Sequence, residues 1–217
     1  MSQPAATRRR DADRGGREEL IEAARAEMVE AGSADVSLQA IARRAGLTAP
    51  LVTYHFRTKE ALFLELARRD MEPAIRRLDR LVQSDATPEE KLRLHILGIV
   101  RNYSERPYLN SLLNLLLRDA SSDSSRQIAL DMAAPLTTAL ARILEQGAEA
   151  GVFRPVDPRA TYLMIVGACQ YAFSSKLTVT SVAPGLHEPD AIAEYARATA
   201  EMFLRGLALP ADDRAEG

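Results

Sequence analysis

The chain has 217 residues, 47% of them hydrophobic, and a formal net charge of −2. That is enough apolar material for a substantial core in one or two domains, and the charge excludes a polycation that grips nucleic acid indiscriminately. A single cysteine, Cys169, excludes an internal disulfide framework and fits a reducing cytoplasm, while polar residues 1–16 lack the apolar centre of a signal peptide.

Residues 1–16 read as a flexible basic arm carrying Arg8, Arg9, Arg10 and Arg14. A first helix is predicted from about Arg17 to Ala31, with Leu20, Ile21, Ala24 and Met28 inward and Gly32 as its stop. The segment Ser37–Leu62 then carries the most information. Leu38, Ile41, Ala42 and Ala45 recur at helical spacing on one face, Ser37 is a good N-cap, and Gly46 suits the left-handed stop. Thr48 opens a second short helix with Pro50 in its first turn, where a missing amide hydrogen costs little. Val52 and Phe56 point inward, which leaves Ala49, Pro50, Thr53 and Tyr54 outward. Thr58 caps a third helix with Lys59 in its first turn. A cation there opposes the helix dipole unless an anion such as a phosphate docks beside it, so Lys59 is either a phosphate anchor or an ordinary exposed lysine. Two short helices with a tight turn between them are the layout of a helix-turn-helix, whose second helix enters the DNA major groove.

The residues Ile41, Ala42, Ala45, Gly46, Leu47, Thr48, Tyr54, His55, Phe56, Thr58, Lys59, Glu60 and Leu62 agree in identity and spacing with a known pattern. On them, the segment from about residue 17 to 63 resembles the DNA-binding domain of the TetR family of bacterial transcriptional repressors. Thr53 departs from it, because many members carry there an aromatic residue that touches the DNA backbone; that contact would shift to Tyr54. The resemblance implies arms that order along the minor groove, although a solubilising tail explains the same arginines. Further cations, Arg43, Arg44, Arg57 and Lys59, surround the motif.

Beyond the motif, nearly everything reads as helix. The helix opened by Thr58 continues to about Val82, with Pro73 expected to kink or break it. Thr87-Pro88-Glu89-Glu90 is a capping box that restarts the chain toward Pro107. A short helix from Tyr108 to about Leu117 follows, then one from roughly Ser124 to Ala150, interrupted near Pro135. Asp157-Pro158 opens a helix to about Lys176; Leu177–Glu188 is expected as a loop; a last helix covers about Pro189 to Leu207. The longest uncharged run, Ala160–Ser175, has sixteen residues and is too short and polar to span a bilayer. The expectation is an all-α fold of about nine helices: an arm (1–16), a helix-turn-helix domain (17–63), a helical ligand-binding and dimerisation domain (64–210) and a tail (211–217).

The helices at about 158–176 and 189–207 are apolar on more than one side, so each needs two packing partners. The family resemblance implies that they form a homodimer, and a twofold dimer suits a palindromic operator on double-stranded DNA. The resemblance also implies a pocket for a small-molecule effector. Candidate lining residues are His95, Asn102, Tyr103, Asn110, Asn114, Arg118, Tyr162, Cys169 and Gln170, each of which also has an ordinary reading as a satisfied core or surface group. Arg118 can receive a carboxylate or pair with Asp119.

No metal-ligand spacing, nucleophile elbow or phosphate-binding glycine loop occurs, so neither an enzyme nor a cofactor is expected. Ser37, Thr48, Tyr54, His55 and Lys59 are expected to position the protein on DNA. Gln39, Ala49, Pro50, Leu51 and Thr53 are placed to meet base edges. The reading is a cytoplasmic, ligand-released repressor with no membrane partner. Its rivals are a helical dimeric adaptor with a non-functional helix-turn-helix and an enzyme that uses the central cavity.

Overall fold

The structure is a computed structural model and describes residues 5–118, 127–173 and 176–209. Among these it has ten α-helices, one π-helical turn and no strand beyond an isolated bridge between Phe153 and Ala208. The helices are α1 (Ala5–Ala31), α2 (Leu38–Arg44), α3 (Ala49–Phe56), α4 (Lys59–Gln83), α5 (Pro88–Glu105), α6 (Leu109–Leu116), α7 (Ala134–Glu149), α8 (Pro158–Tyr171), α9 (Lys176–Val182) and α10 (Pro189–Leu207). The all-α expectation holds. The chain forms two compact units, Met1–Asp70 with Tyr108–Ser125, and Met71–Pro107 with Arg126–Gly217.

Several elements differ from their sequence-based expectation. The first helix begins at Ala5 rather than Arg17, because nothing in Ala5–Arg14 breaks a helix and Gly15 and Gly16 each cost it only about 1 kcal/mol. The side chains of Arg8, Arg9, Arg10 and Arg14 lie outside the described residues. α4 runs unbroken through Pro73, which removes one hydrogen bond to the Arg69 carbonyl without ending the helix. A π-helical turn, Ala129–Ala133, precedes α7 and is the interruption expected near Pro135. The expected loop at Leu177 is instead α9: its β-branched residues weaken a helix only slightly, and the true terminators, Pro184 and Gly185 (φ +85°), come after it. Asp119 and the tail 211–217 lie outside the described residues.

In the first unit the inward stripe of α1, Leu20, Ile21, Ala24 and Met28, is fully buried together with Ile41, Val52, Phe56, Leu62 and Leu66. A polar cluster sits within this apolar packing. Asp70 on α4 is 3% exposed; Arg25 on α1 donates to its Oδ1 from Nε (3.1 Å) and Nη2 (2.9 Å), and the Tyr108 hydroxyl, just before α6, donates to Oδ2. Burial together with this bond pushes the Tyr108 phenol above its ordinary range. Ser111 in the first turn of α6 accepts from the Ala34 amide at 2.6 Å, so the start of α6 is held by two hydrogen bonds to distant sequence.

The second unit is built around α5. Leu92, Ile96 and Val100 pack with Leu140, Ile143, Ile165, Ala196 and Ala200 in one core. Lys91 is buried, and its ammonium donates to the Val82 carbonyl (2.9 Å) at the end of α4 and to Gln146 Oε1 (3.0 Å) on α7. A cation suits those orphan carbonyls and the negative end of the helix dipole. After α7 the chain turns through Gly151 (φ +66°) and lays Phe153 over Gly147, so closely that a Cβ there would sit 1.9 Å from the ring.

Three stability outcomes are expected. Asp70→Ala strands a guanidinium and a phenol and should cost about 3–5 kcal/mol, whereas Tyr108→Phe should cost about 1.5–3 kcal/mol, both read from urea unfolding. Gly147→Ala must displace a buried ring and should cost about 1–3 kcal/mol or more. A thermal midpoint unchanged from the parent would show that Phe153 does not sit where described.

Candidate nucleic-acid interface and effector cavity

The helix-turn-helix is assembled from local signals. Ser37 takes the N-cap position of α2, and its Oγ accepts from the Ala40 amide at 3.1 Å. Gly46 at φ +66° permits the turn, and the Leu47 amide donates back to the Ala42 carbonyl at 2.9 Å. Thr48 occupies the N-cap of α3 in extended conformation, yet its hydroxyl makes no capping bond, so Pro50 and backbone geometry start this helix. Val52 and Phe56 are buried. Ala49, Pro50, Leu51, Thr53 and Tyr54 are exposed, Tyr54 by 73%.

α3 and α4 meet at a strained step. Arg57 is the one described non-glycine residue with positive φ (+58°, with ψ −49°), and the Thr58 amide donates to the Phe56 carbonyl across it at 2.6 Å. This is a γ-turn, a conformation that costs about 1–3 kcal/mol. Thr58 Oγ1 then accepts from the Ala61 amide at 3.1 Å, starting α4 as expected. The Lys59 ammonium lies 5.1 Å from the centroid of the Phe63 ring, and no carboxylate pairs with it among the described residues.

Other motif residues have structural duties. Arg44 is tied to Glu27 and Glu30 of α1, so its charge is spent within the fold. Arg17 covers the Phe56 ring at 4.8 Å. His55 is half-buried; it stands edge-on to Tyr54 (5.2 Å between centroids) and reaches α1, where a Cβ on Gly16 would lie 2.9 Å from its Nε2. Gln39 is exposed on α2 and Arg43 is exposed beside it.

A cavity of about 610 Å³ lies in the second unit, walled by α4, α5, α7 and α8. Such a volume is in the range of small-molecule sites. Of the nine candidate lining residues, His95, Asn102, Tyr103 and Tyr162 face it, among Leu78, Leu81, Leu97, Ile99, Leu136 and Val166. Burial pushes the Tyr103 and Tyr162 phenols up and holds both neutral. Asn102 accepts from Arg106 Nη1 at 3.1 Å through its Oδ1. Burial also lowers the His95 imidazolium to a pKa of about 4, so the ring is neutral near pH 7; its Nε2 is buried with no hydrogen-bond partner among the described residues.

The other five candidates fall elsewhere. Cys169 is fully enclosed in the core, where burial pushes its thiol up to about 12, and Gln170 is half-buried away from the cavity lining. Asn110 and Asn114 bond to each other along α6 (3.1 Å), and Arg118 is exposed beyond it, all in the first unit. Spacing placed these three correctly on or near a short helix, but their unit follows from the contacts of Tyr108 and Ser111. Sequence reading missed Arg77, Arg80 and Arg101 on the lining. Arg77, Arg80 and Ser84 recur at i, i+3 and i+7, a signal that was available but looks like an ordinary solvated face.

Among the described residues no helix is long and apolar enough to cross a membrane, and no group of His, Cys, Asp or Glu could hold a metal ion. The profile described as "Bacterial regulatory proteins, tetR family" matches residues 20–66, and that described as "Tetracyclin repressor-like, C-terminal domain" matches residues 85–213. No curated protein sequence matches the chain. A tetR-family regulatory protein from Rhodococcus RHA1 is similar in structure, with a TM-score of 0.72 at 20% identity over 90% of this chain and 98% of that one. So is the ketosteroid transcriptional regulator KstR2 of Mycobacterium tuberculosis, at 0.70 and 23% identity over 89% and 95%. The transcriptional regulator FadR from Bacillus subtilis, in complex with stearoyl-CoA, gives 0.65 and 20% over 88% and 98%. These identities speak for the fold alone, whereas the C-terminal profile covers more than half of the chain. The chain belongs to the TetR family of transcriptional regulators, with an N-terminal helix-turn-helix for DNA and a ligand-binding C-terminal domain.

Proposed function

We propose that the protein is a cytoplasmic, homodimeric repressor that holds a palindromic operator and lets go when a small molecule fills the cavity. The carrying observation is the outward face of α3 with Lys59 beside it. Small, hydroxyl and aromatic side chains are exposed there, and the cation at the start of α4 has no carboxylate partner among the described residues. A phosphate at that helix terminus would meet both the capped amides and the ammonium. In this reading Thr48, Tyr54 and Lys59 position the protein on the backbone, with Ser37 and His55 at the edge of the contact. Gln39, Ala49, Pro50, Leu51 and Thr53 meet base edges, and Gln39 can pair bidentately with adenine.

Dimerisation rests on uncovered apolar stripes. Leu163, Met164 and Tyr171 on α8 are 57–71% exposed and Met202 on α10 is 73% exposed. Gly167 stands between Leu163 and Tyr171 on the same helical face, and open space surrounds Gly167 and Gly206. A second copy laid against these stripes would bury them and pair two recognition helices roughly 34–36 Å apart along the DNA. Effector release is supported by the continuity of α4, which carries Lys59 at one end and the cavity residues Met71 to Leu81 at the other.

Two outcomes test this reading. Lys59→Ala should weaken binding to every sequence and reduce the salt slope by about 1, whereas Gln39→Ala should change preference at one position, both measured by fluorescence anisotropy on the DNA upstream of the protein's own gene. An unaltered salt slope for Lys59→Ala would remove the anchor. Met202→Glu should convert the dimer to monomer in sedimentation and abolish operator binding at the same protein concentration. A dimer that survives the substitution would put the interface elsewhere.

A further inference from the structure

The cavity's own chemistry narrows what can occupy it. Its walls are largely apolar, from Met71, Leu78, Leu81, Leu97, Ile99 and Leu136, so the body of the occupant must be apolar. Inside, the His95 Nε2 is a buried polar atom that lacks a partner among the described residues, on a side chain only 6% exposed. Leaving such a group unpaired is costly, and the cavity it faces is where a partner would arrive. At the exposed side stand three guanidiniums, Arg77 and Arg80 from α4 and Arg101 from α5. Arg101 has Glu105 at 4.0 Å, while neighbouring acids are engaged elsewhere, Glu72 by Arg76 and Asp79 by Gln83. Among the described residues no carboxylate pairs with Arg77 or Arg80, so both guanidiniums can donate to an incoming anion.

We infer that the effector is an amphipathic anion, with an apolar body in the cavity, a polar atom within reach of His95, and a carboxylate or phosphate held at the mouth by Arg77, Arg80 and Arg101. The inference rests on the reading of this cavity as the effector site. A neutral apolar molecule would gain the same burial but would leave the guanidiniums with water. A freely soluble small anion would gain the charge contact but forfeit the burial. The combination selects molecules with both parts, and planar guanidiniums donate to carboxylate and phosphate oxygens alike.

The test uses the full-length protein and three ten-carbon probes, decanoate, decyl phosphate and 1-decanol, with binding read by calorimetry and operator release read separately by anisotropy. At least one of the two anions should bind at least about ten-fold more tightly than decanol, and the Arg77→Gln/Arg80→Gln double variant should erase that margin while decanol affinity stays the same. Raising salt should weaken anion binding alone. Whichever anion leads identifies the head group. His95→Leu should leave the unfolding midpoint of the free protein unchanged or raised, because it removes an unpaired buried polar atom; a lowered midpoint would mark His95 as structural and overturn its part in the site. Equal affinity of all three probes, no binding by any, or an anion preference untouched by the double variant would overturn the inference. Arginine-dependent anion binding without operator release would leave the ligand chemistry standing and defeat the release mechanism instead.

Discussion

A buried carboxylate organises the DNA-binding unit. Asp70 has almost no contact with water, and Arg25 and the Tyr108 hydroxyl both donate to it, which makes its burial tolerable. Arg25 stands 45 residues before it and Tyr108 38 after it. Satisfying one group therefore fixes α1, α4 and the approach to α6 together. Apolar packing alone would let these helices slide along one another, whereas hydrogen bonds to a single carboxylate admit one register. The outward face of α3 inherits that precision, because α3 packs on the same framework through Val52 and Phe56.

The step between α3 and α4 shows a different economy. A glycine at position 57 would adopt its backbone without strain, yet an arginine is there, next to the helix that carries Lys59. The rest of the unit holds the residue in this state, with Thr58 capping α4 on one side and Phe56 buried on the other. Strain of this kind persists where a position is over-determined by its neighbours, and here it lies beside the surface proposed to meet DNA.

What could be read from sequence was whatever is decided locally. Ser37, Gly46 and Thr58 act within a turn of where they stand, so the helix-turn-helix was legible from caps and spacing alone. His95, Asn102, Tyr103 and Tyr162 were legible as polar groups inside apolar stripes. The Asp70 cluster was not, because its members meet only after the chain has passed through a whole helical hairpin. Arg77 and Arg80 were hidden for the opposite reason: an exposed arginine on a helix is the commonest of surface residues, and only a cavity beside it gives it meaning. α9 was missed because propensity was weighed above the position of the real terminators, Pro184 and Gly185. Asn110 and Asn114 show the reverse error, since polarity within a leucine-rich run marked them although they merely bond to each other on the surface of α6.

The His95 Nε2, which has no hydrogen-bond partner among the described residues, bears on the lifetime of the protein in a cell. A molecule that fills the cavity and pairs with that nitrogen binds the folded form alone, so it lowers the unfolded fraction as its concentration rises above its dissociation constant. Proteases draw on that fraction. Under the proposed function, the effector that releases the protein from DNA would thereby also shield it from degradation and leave a pool of intact protein when the signal is consumed.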